Sequence, residues 1–282
     1  MVIPGKSKQE ILISTYICHP SMANNELSGL LVSTALAKYF SSKKNQKTLR
    51  FIFVPETIGS ITYLSKNLNI LKEKVIAGYN LSCIGDERKY SYLSSKYGNT
   101  ISDKSVKKAF KNLKIKYISH SFLQRGSDER QYNSPGIDLP IASIFRTKYG
   151  EYPEYHTSLD NFNLVTEKGL RGGYNIVKKA IDILMKSEDK YKFERKVYKR
   201  LKKPFPKNKF LCEPQLAKRG LYPHISKFDN SKSKFTTRNF LNFLQYADGS
   251  NNLTNISNYI KISLDETCKI FKLMLKYNLI KI

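Results

Sequence analysis

The chain alternates between short apolar runs and polar turns, and the first run organises the interpretation of the rest. The mostly apolar segment Ile11–Ile17 predicts a buried strand. It leads to His19, directly before Pro20, which cannot continue a strand ladder. A polar turn, Ser21–Asn25, follows, and Glu26 opens a predicted amphipathic helix. A strand, an imidazole, a polar loop and a helix start in close succession are typical of a site at the carboxyl edge of an α/β sheet.

The same alternation continues through the first two thirds of the chain. Apolar runs predict four further strands, at Leu49–Val54, Val75–Leu81, Tyr117–Phe122 and Leu139–Phe145. Helical spacing of apolar residues predicts helices at Ile58–Leu71, Ser102–Leu113 and Glu167–Met185. The fold class is therefore α/β, and the order of elements predicts a three-layer α/β/α sandwich with a mostly parallel sheet.

A change in composition separates the C-terminal part of the chain. Lysine and arginine crowd the segment from Glu188 to Lys209, which predicts a basic linker at 189–209 between a domain at 1–188 and one at 210–282. Three short amphipathic helices and a β-like tail follow, at Thr236–Tyr246, Leu253–Ile260, Leu264–Tyr277 and Leu279–Ile282. This is the outline of a small winged helix-turn-helix domain.

Composition narrows the class of protein only modestly. The 282 residues contain 40% hydrophobic residues, enough for a core, and no segment approaches the ~18 apolar residues of a membrane span. Four cysteines lie far apart without a CxxC pair, so a reducing, cytoplasmic location is expected. The net charge of +26 comes from lysines in every segment. It fits a compositional bias of the source as well as it fits a nucleic-acid-binding surface.

Polar side chains follow several of the predicted strands. They are His19, Asn25, Glu26, Glu56, Asp86, Asp128 and His156. Because parallel strands end at the same edge of a sheet, we expect these residues to converge there. Imidazoles with carboxylates form a ligand set suited to zinc, which activates bound water and polarises a carbonyl. Each acid taken alone is equally well explained as a solvated loop residue, so the hypothesis depends on their number.

Several blocks resemble a known superfamily when taken together. They are His19-Pro20-Ser21, Asn24-Asn25-Glu26-Leu27-Ser28-Gly29, Pro55-Glu56-Thr57-Ile58-Gly59-Ser60, Ser127-Asp128 and Tyr155-His156-Thr157-Ser158-Leu159-Asp160. The chain resembles the zinc-dependent aminopeptidases, and within them the aminopeptidase-like proteins that end in a winged helix-turn-helix and accompany polysaccharide biosynthesis clusters. Cys212 to Pro223 is similar to that subgroup too. Compared with it, the portion before the first ligand strand is expected to be missing.

The resemblance implies roles for individual residues. His19 and His156 match metal-binding histidines, and Asn25 stands where the superfamily has the aspartate that bridges two zinc ions. Glu56 matches the general base, while Thr57 stands where a second, metal-binding acid is usual. The implied catalytic residue is therefore Glu56, and the implied cofactor is zinc.

Two further positions depart from the superfamily pattern. The strand aspartate that binds the first metal should fall at Ser82, and Asp86 lies four residues later. Ser21 replaces an outer-sphere acid two residues after the first histidine. The predicted metal site is therefore His19, Asn25, Asp86 and His156. One zinc is favoured over two, because an amide is a poorer ligand than a carboxylate. Glu26 could supply the missing charge.

Three functions compete at this point. The first is a zinc-dependent hydrolase that cleaves an N-terminal peptide bond or a related amide, and the second is an inactive small-ligand-binding or regulatory protein on the same scaffold. The third is a DNA-binding regulator, but Leu264–Tyr277 offers lysines and almost none of the side chains that read base edges. We therefore expect a peptide or amide substrate, no membrane partner and no sequence-specific DNA binding. Homo-oligomerisation stays open.

Overall fold

The computed structural model describes residues 1–187, 204–219, 221 and 236–282. The chain divides into two compact units. The first contains Met1–Asn133 and the described residues from Leu139 onward to 187, and the second contains Ser134–Asp138 and the described residues from 204. Of the predicted linker, residues 189–203 lie outside the described part of the chain, as do residues 220, 222 and 223 of the Cys212–Pro223 block. The domain boundaries at 188 and 210 remain predictions.

A single mixed sheet of seven strands forms the centre of the first unit, within the described residues. Its strands are β1 (Val2–Ile3), β2 (Ser7–Tyr16), β3 (Lys47–Val54), β4 (Val75–Leu81), β5 (Ser91–Leu93), β6 (Ile118–His120) and β7 (Ile141–Phe145). Their spatial order is β1-β3-β2-β4-β7-β5-β6. The central strands β3, β2, β4 and β7 are parallel, whereas β1 pairs antiparallel with β3 and β5 antiparallel with β7.

Helices cover this sheet. They are α1 (Ser28–Ser41), α2 (Ile58–Lys74), α3 (Ile101–Asn112), α4 (Glu129–Tyr132) and α5 (Glu167–Met185). Helices α1, α3 and α5 pack together, and α2 packs with α4. One apolar core joins Ile11 and Ile13 of β2 to Leu36 of α1, Phe110 of α3 and Ile181 of α5. The predicted α/β class, with a mostly parallel sheet and flanking helices, is confirmed.

The order of the strands selects one place on the sheet as a binding edge. The chain passes from β2 through α1 to β3 on one side, and then through α2 back across β2 to β4 on the other. The direction of sheet building therefore reverses at β2. In open α/β sheets, ligands bind beyond the carboxyl ends of the strands where this reversal occurs. Beyond the carboxyl end of β2 lies His19.

A close approach of backbones fixes the chain just after that edge. A five-residue π-helix, Ala23–Leu27, runs directly into α1. A side chain at Gly29 would lie 2.5 Å from Thr15 Oγ1 and 2.6 Å from the carbonyl oxygen of Leu81. Glycine is therefore required for α1 to press against β2 and β4. The same packing holds the preceding π-helical turn over the ends of these two strands.

The second unit contains α6 (Thr237–Tyr246), α7 (Leu253–Ile260) and α8 (Leu264–Lys276). Strand β8 (Lys207–Asn208) pairs antiparallel with β9 (Ile280–Lys281). Each of the three helices has an N-cap side chain. Thr236, Asn252 and Ser263 each accept a hydrogen bond from a backbone N–H of the first turn. Within the described residues, no helix of either unit is long and apolar enough to cross a bilayer.

The predicted elements match the structure with small shifts at their ends and a few omissions. The prediction placed the helix over Glu167–Met185 and the strand over Val75–Leu81 at the observed bounds. It extended the fourth strand too far, because only Ile118–His120 pairs. It missed the short strands β1, β5 and β8, which are too short to carry a periodic pattern.

Candidate functional site

His19 lies in the loop after β2, where the carboxylate of Glu26 holds the backbone. One oxygen of Glu26 accepts a hydrogen bond from the N–H of Cys18, and the other accepts from the N–H of His19 at 3.0 Å. The same oxygen lies 3.1 Å from Nδ1 of His19. Glu26 is almost fully buried, with 6% of its side chain exposed, whereas His19 keeps 28% exposed. The imidazole is therefore anchored on one side and accessible on the other.

Glu56 reaches this imidazole from the end of β3. Its Oε2 lies 3.7 Å from Nε2 of His19, the nitrogen on the opposite side of the ring from Glu26. Its backbone N–H donates to the sulfur of Cys18 at 3.2 Å, which ties the ends of β2 and β3 together. About a fifth of the Glu56 side chain is exposed, so solvent and small molecules can reach the carboxylate.

Thr57 has an unusual backbone conformation immediately after Glu56. Its φ of 63° and ψ of −66°, with a 2.7 Å hydrogen bond from the N–H of Ile58 to the carbonyl of Glu56, describe a classic γ-turn. This conformation is strained for a β-branched residue and persists only where other contacts hold it. Asp128 accepts from the N–H of Thr57 at 2.7 Å, and Arg130 donates to its hydroxyl at 2.5 Å. These contacts hold Thr57 in a structural role and fix the start of α2 beside Glu56.

Asp128 is a fully buried carboxyl group with an unequal environment. Its Oδ1 accepts from Thr57 N–H and from the Ser60 hydroxyl at 2.7 Å each, while its Oδ2 has no hydrogen-bond partner among the described residues. Burial, with a smaller contribution from the charge of Glu56, raises the pKa of Asp128 to about 7. The group therefore changes charge near neutral pH while it is hydrogen-bonded to Thr57, the residue after Glu56.

His156 approaches from the long loop after β7. The centroid of its ring lies 5.2 Å from that of His19, and the ring of Tyr155 stacks on it with a centroid distance of 3.9 Å. The φ of His156 is 58°, in the left-handed region that non-glycine residues rarely adopt. Burial raises the pKa of Tyr155 above its usual value, so its hydroxyl stays protonated at neutral pH. The structure thus brings the two predicted histidines together.

Asp160 joins the His156 loop to the π-helical turn. Its two oxygens accept from the backbone N–H groups of Asn24 at 2.6 Å and Asn25 at 3.0 Å, and Tyr152 donates to it at 3.2 Å. A carboxylate bound to the first N–H groups of a helix is favourable because these donors have no partner inside the helix. Asp160 follows His156 by four residues, so this contact sets where the loop returns to the sheet.

Asn25 is buried, and its side chain is held by a hydrogen bond within the protein. Its Oδ1 accepts from the Tyr16 hydroxyl at 2.7 Å, and its Nδ2 has no partner among the described residues. Burial raises the pKa of Tyr16 well above its usual value, so this hydroxyl remains a donor. The Oδ1 atom of Asn25 is therefore already engaged by Tyr16. If Asn25 also bound a metal through this oxygen, the oxygen would have to serve both partners. Its role as a metal ligand remains a prediction.

Asp86 lies in the loop after β4, and its contacts are with Asn24 and with the loop after β7. Asn24 and the backbone N–H of Thr147 donate to its Oδ2 at 3.2 and 2.9 Å, and the Thr147 hydroxyl and the N–H of Arg88 donate to its Oδ1 at 2.7 and 2.9 Å. The side chain is fully buried, and both oxygens are engaged. In this conformation Asp86 joins the loops after β4 and β7. Its predicted role as a metal ligand rests on the sequence alone.

The donors around His19 suit a zinc ion. In the described part of the chain, one trio of histidine, cysteine and acidic residues has its ligand atoms within 4.8 Å of one another: Cys18, His19 and Glu26. Imidazole nitrogen, thiolate sulfur and carboxylate oxygen are all zinc ligands. With the His156 ring next to His19, this edge can hold a metal, although Cys18 and Glu26 were not in the predicted ligand set.

The sequence reasoning missed the roles of several residues at this edge. The sequence places Glu26 and Asp128 among the polar residues expected to converge at this edge but predicts none of their contacts, and it gives Asp160 no role beyond its motif block. The spacing of Asp160 after His156 was a usable signal, since an acid at a fixed distance from a candidate ligand often orients a loop. No local pattern indicates that Asp128 contacts Thr57, because 71 residues separate them.

Comparison with known proteins places the chain in a family. Residues 1–187 match the family model of a domain of unknown function, DUF4910, and residues 204–282 match a winged helix-turn-helix model. The chain belongs to the DUF4910 family. The DUF4910 domain covers about two thirds of the chain, and the winged helix-turn-helix predicted from the three C-terminal helices is confirmed.

Two matches from Clostridium acetobutylicum, one by sequence and one by structure, cover 90% or more of this chain. One, whose name describes a polysaccharide biosynthesis protein with an aminopeptidase-like domain, is 39% identical over 257 residues, covering 90% of this chain and 54% of the relative. The other is a crystal structure described as a peptidase, 33% identical, with a TM-score of 0.64 over 100% of this chain and 59% of the solved one. The DUF4910 chain thus spans little more than half the length of these relatives.

More distant structures show the fold of the first unit. A zinc aminopeptidase from Bacillus subtilis superposes with a TM-score of 0.58 at 20% identity, covering 68% of this chain and 50% of the other. A glutaminyl cyclase from an Acidobacteriales bacterium superposes with a TM-score of 0.53 at 18% identity, covering 65% and 72%. The predicted aminopeptidase-like scaffold is confirmed. Because one fold supports both activities, the reaction has to be argued from the site.

Proposed function

We propose that this DUF4910 protein is a zinc-dependent hydrolase that cleaves an N-terminal peptide bond or a related amide. The observation that carries the proposal is the position of His19, with Nε2 at 3.7 Å from the Glu56 carboxylate and its ring at 5.2 Å from that of His156. An accessible carboxylate beside two imidazoles is the arrangement that metal-assisted amide hydrolysis requires.

Each residue has a distinct role in this proposal. His19 and His156 would hold one zinc, which when bound acidifies a water molecule and polarises the substrate carbonyl. Glu56 takes the proton of the attacking water and returns it to the leaving amine, because its carboxylate is exposed and faces His19. The Thr57 γ-turn, held by Asp128 and Arg130, keeps the Glu56 backbone in place for this transfer.

The test is hydrolysis of a panel of aminoacyl amides with added zinc. Glu56→Gln keeps the shape of the side chain but removes the proton acceptor, so we expect a loss of about 10²–10⁴-fold in kcat with zinc still bound. His156→Ala should weaken zinc binding instead. The matched control is Glu151→Gln. The carboxylate of Glu151 lies beside His120, outside the site, so this substitution should leave both activity and zinc content unchanged.

A second function is favoured by Asn25 and Thr57. Neither supplies a carboxylate to the edge: the amide of Asn25 accepts from Tyr16, and Thr57 is held by Asp128 and Arg130. A protein that binds a small ligand without cleaving it fits this loss of negative charge. No turnover of any amide, together with wild-type behaviour of Glu56→Gln, would refute the hydrolase and leave this binding function.

A further inference from the structure

We propose that Glu26 is the positioning residue of His19: its carboxylate accepts a hydrogen bond from the Nδ1–H of the imidazole and so leaves the Nε2 lone pair on the side of Glu56. This inference rests on the proposed metal site, because it specifies which nitrogen of His19 faces the metal. It assigns to Glu26 a role in orientation, whereas the sequence had suggested only a replacement charge.

The contacts of Glu26 determine the direction of the hydrogen bond. An ionised carboxylate only accepts hydrogen bonds, so the nitrogen that lies 3.1 Å from Glu26 Oε2 must carry the proton. The two backbone N–H groups of Cys18 and His19 also donate to the carboxylate, one to each oxygen. These three contacts fix the backbone and the ring of His19 together, so the ring cannot turn without losing the Glu26 hydrogen bond.

The π-helical turn is what places Glu26 against the loop. Glu26 lies within the π-helix Ala23–Leu27, and Gly29 directly after it allows α1 to press on Thr15 and Leu81. Single-turn π-helices occur frequently at functional sites. Glu26 is thus held by the fold, with 6% of its side chain exposed, rather than by a flexible loop.

The hydrogen bond to Glu26 also determines the state of the other ring nitrogen, Nε2 of His19. With the proton on Nδ1, the neutral imidazole presents its lone pair on Nε2, the nitrogen 3.7 Å from Glu56. A carboxylate that accepts from one nitrogen of a metal-binding histidine fixes its tautomer and raises the basicity of the other nitrogen. Removing such a carboxylate typically lowers metal affinity by about 10–100-fold.

Cys18 offers a competing arrangement, because its sulfur lies 3.2 Å from the same Nδ1 atom. If a thiolate and Nδ1 held the metal together, the Nδ1 proton and the Glu26 hydrogen bond would be lost. One geometric observation favours Glu26: the Cys18 sulfur already accepts the Glu56 N–H at 3.2 Å, which holds it against the end of β3.

The first measurement uses the unaltered protein. The chain has four histidines, so two-bond ¹H–¹⁵N correlation spectra of the imidazoles can be assigned by single substitutions. We expect the neutral ring of His19 to carry its proton on Nδ1 in the metal-free protein, and Nε2 to shift when zinc is added. A proton on Nε2 would overturn the proposal without any variant, and this readout also decides the question if no zinc binds.

The second measurement uses Glu26→Gln, whose amide keeps the size but presents one acceptor atom. We expect the His19 tautomer preference to be lost and zinc affinity, measured by competition with a chromophoric chelator, to fall by about 10–100-fold. The matched control is Glu151→Gln, because Glu151 Oε1 lies 3.5 Å from Nδ1 of the buried His120. It should alter the signals of His120 alone and leave zinc affinity unchanged.

Cobalt substitution distinguishes the competing arrangement. A thiolate-to-cobalt charge-transfer absorption that disappears in Cys18→Ser and persists in Cys268→Ser would place the metal on the Nδ1 side and refute the role of Glu26. Unchanged tautomer and zinc affinity in Glu26→Gln would refute it too. None of these readouts requires hydrolysis, so a protein that passes them but cleaves no amide contradicts the proposed function alone.

Discussion

The buried carboxyl group of Asp128 makes the stability of this protein depend on pH near neutrality. Burial, and to a smaller extent the charge of Glu56, raises its pKa from 3.8 to about 7, although Thr57 N–H and the Ser60 hydroxyl both donate to its Oδ1. The test substitution is Asp128→Asn. The amide oxygen can accept both hydrogen bonds, and the group no longer ionises.

The sign and size of the effect follow from the two pKa values. Because the folded-state pKa of Asp128 lies above the unfolded value, the native state binds the proton more tightly between them. This group therefore stabilises the fold fully below about pH 4, and the contribution is lost as pH rises through about 7. A difference of about 3 units corresponds to about 4 kcal/mol, at 1.36 kcal/mol per unit.

The assay is urea unfolding of the wild-type protein and Asp128→Asn, followed by circular dichroism between about pH 4 and pH 8. Groups that do not interact with Asp128 titrate equally in both proteins, so the difference in free energy of unfolding reports Asp128 together with its coupling to Glu56. We expect Asp128→Asn to gain up to about 4 kcal/mol relative to wild type as pH rises across this range. A difference that does not change with pH would refute the reasoning. Asp182→Asn, on the surface of α5, is the matched control.

Two other predictions concern the His156 loop and the second unit. In Asp160→Asn, the amide can accept only one of the two backbone N–H bonds from Asn24 and Asn25. We therefore expect the free energy of unfolding, measured in urea, to fall by about 2–3 kcal/mol. For the control Asp182→Asn we expect it to fall by about 0–1 kcal/mol. The winged helix-turn-helix should not read DNA sequence, because α8 offers lysines and almost no side chains of the kind that read base edges. Competition titrations at physiological salt that show strong discrimination between sequences would contradict this.

The residues of the aminopeptidase-like pattern that the chain keeps lie together in the structure. His19 is close to both Glu56 and His156. Asn25, Thr57 and Asp86, where the pattern is altered or displaced, each have hydrogen-bond partners within the protein. The metal-binding roles predicted for Asn25 and Asp86 remain predictions.

The local sequence was sufficient to determine the longer helices and strands and the sheet edge at which the candidate site lies. Apolar runs such as Val75–Leu81 and the periodic helix Glu167–Met185 are properties of neighbouring residues, so their bounds could be predicted from the chain alone. The convergence of His19 and His156 followed from one rule, that parallel strands end at the same edge. The motif resemblance then added a ligand set, but only as residue identities and without their contacts.

Only the tertiary structure decided which polar groups contact each other at that edge. Glu26 meets His19 because a π-helical turn replaces the expected α-helical start, and Asp128 meets Thr57 across 71 residues because α2 packs with α4. Asp86 contacts Asn24 and Thr147 instead of the histidines. Periodicity reports which face of an element is buried, but the partner of a buried carboxylate depends on how distant loops close, which no local pattern records.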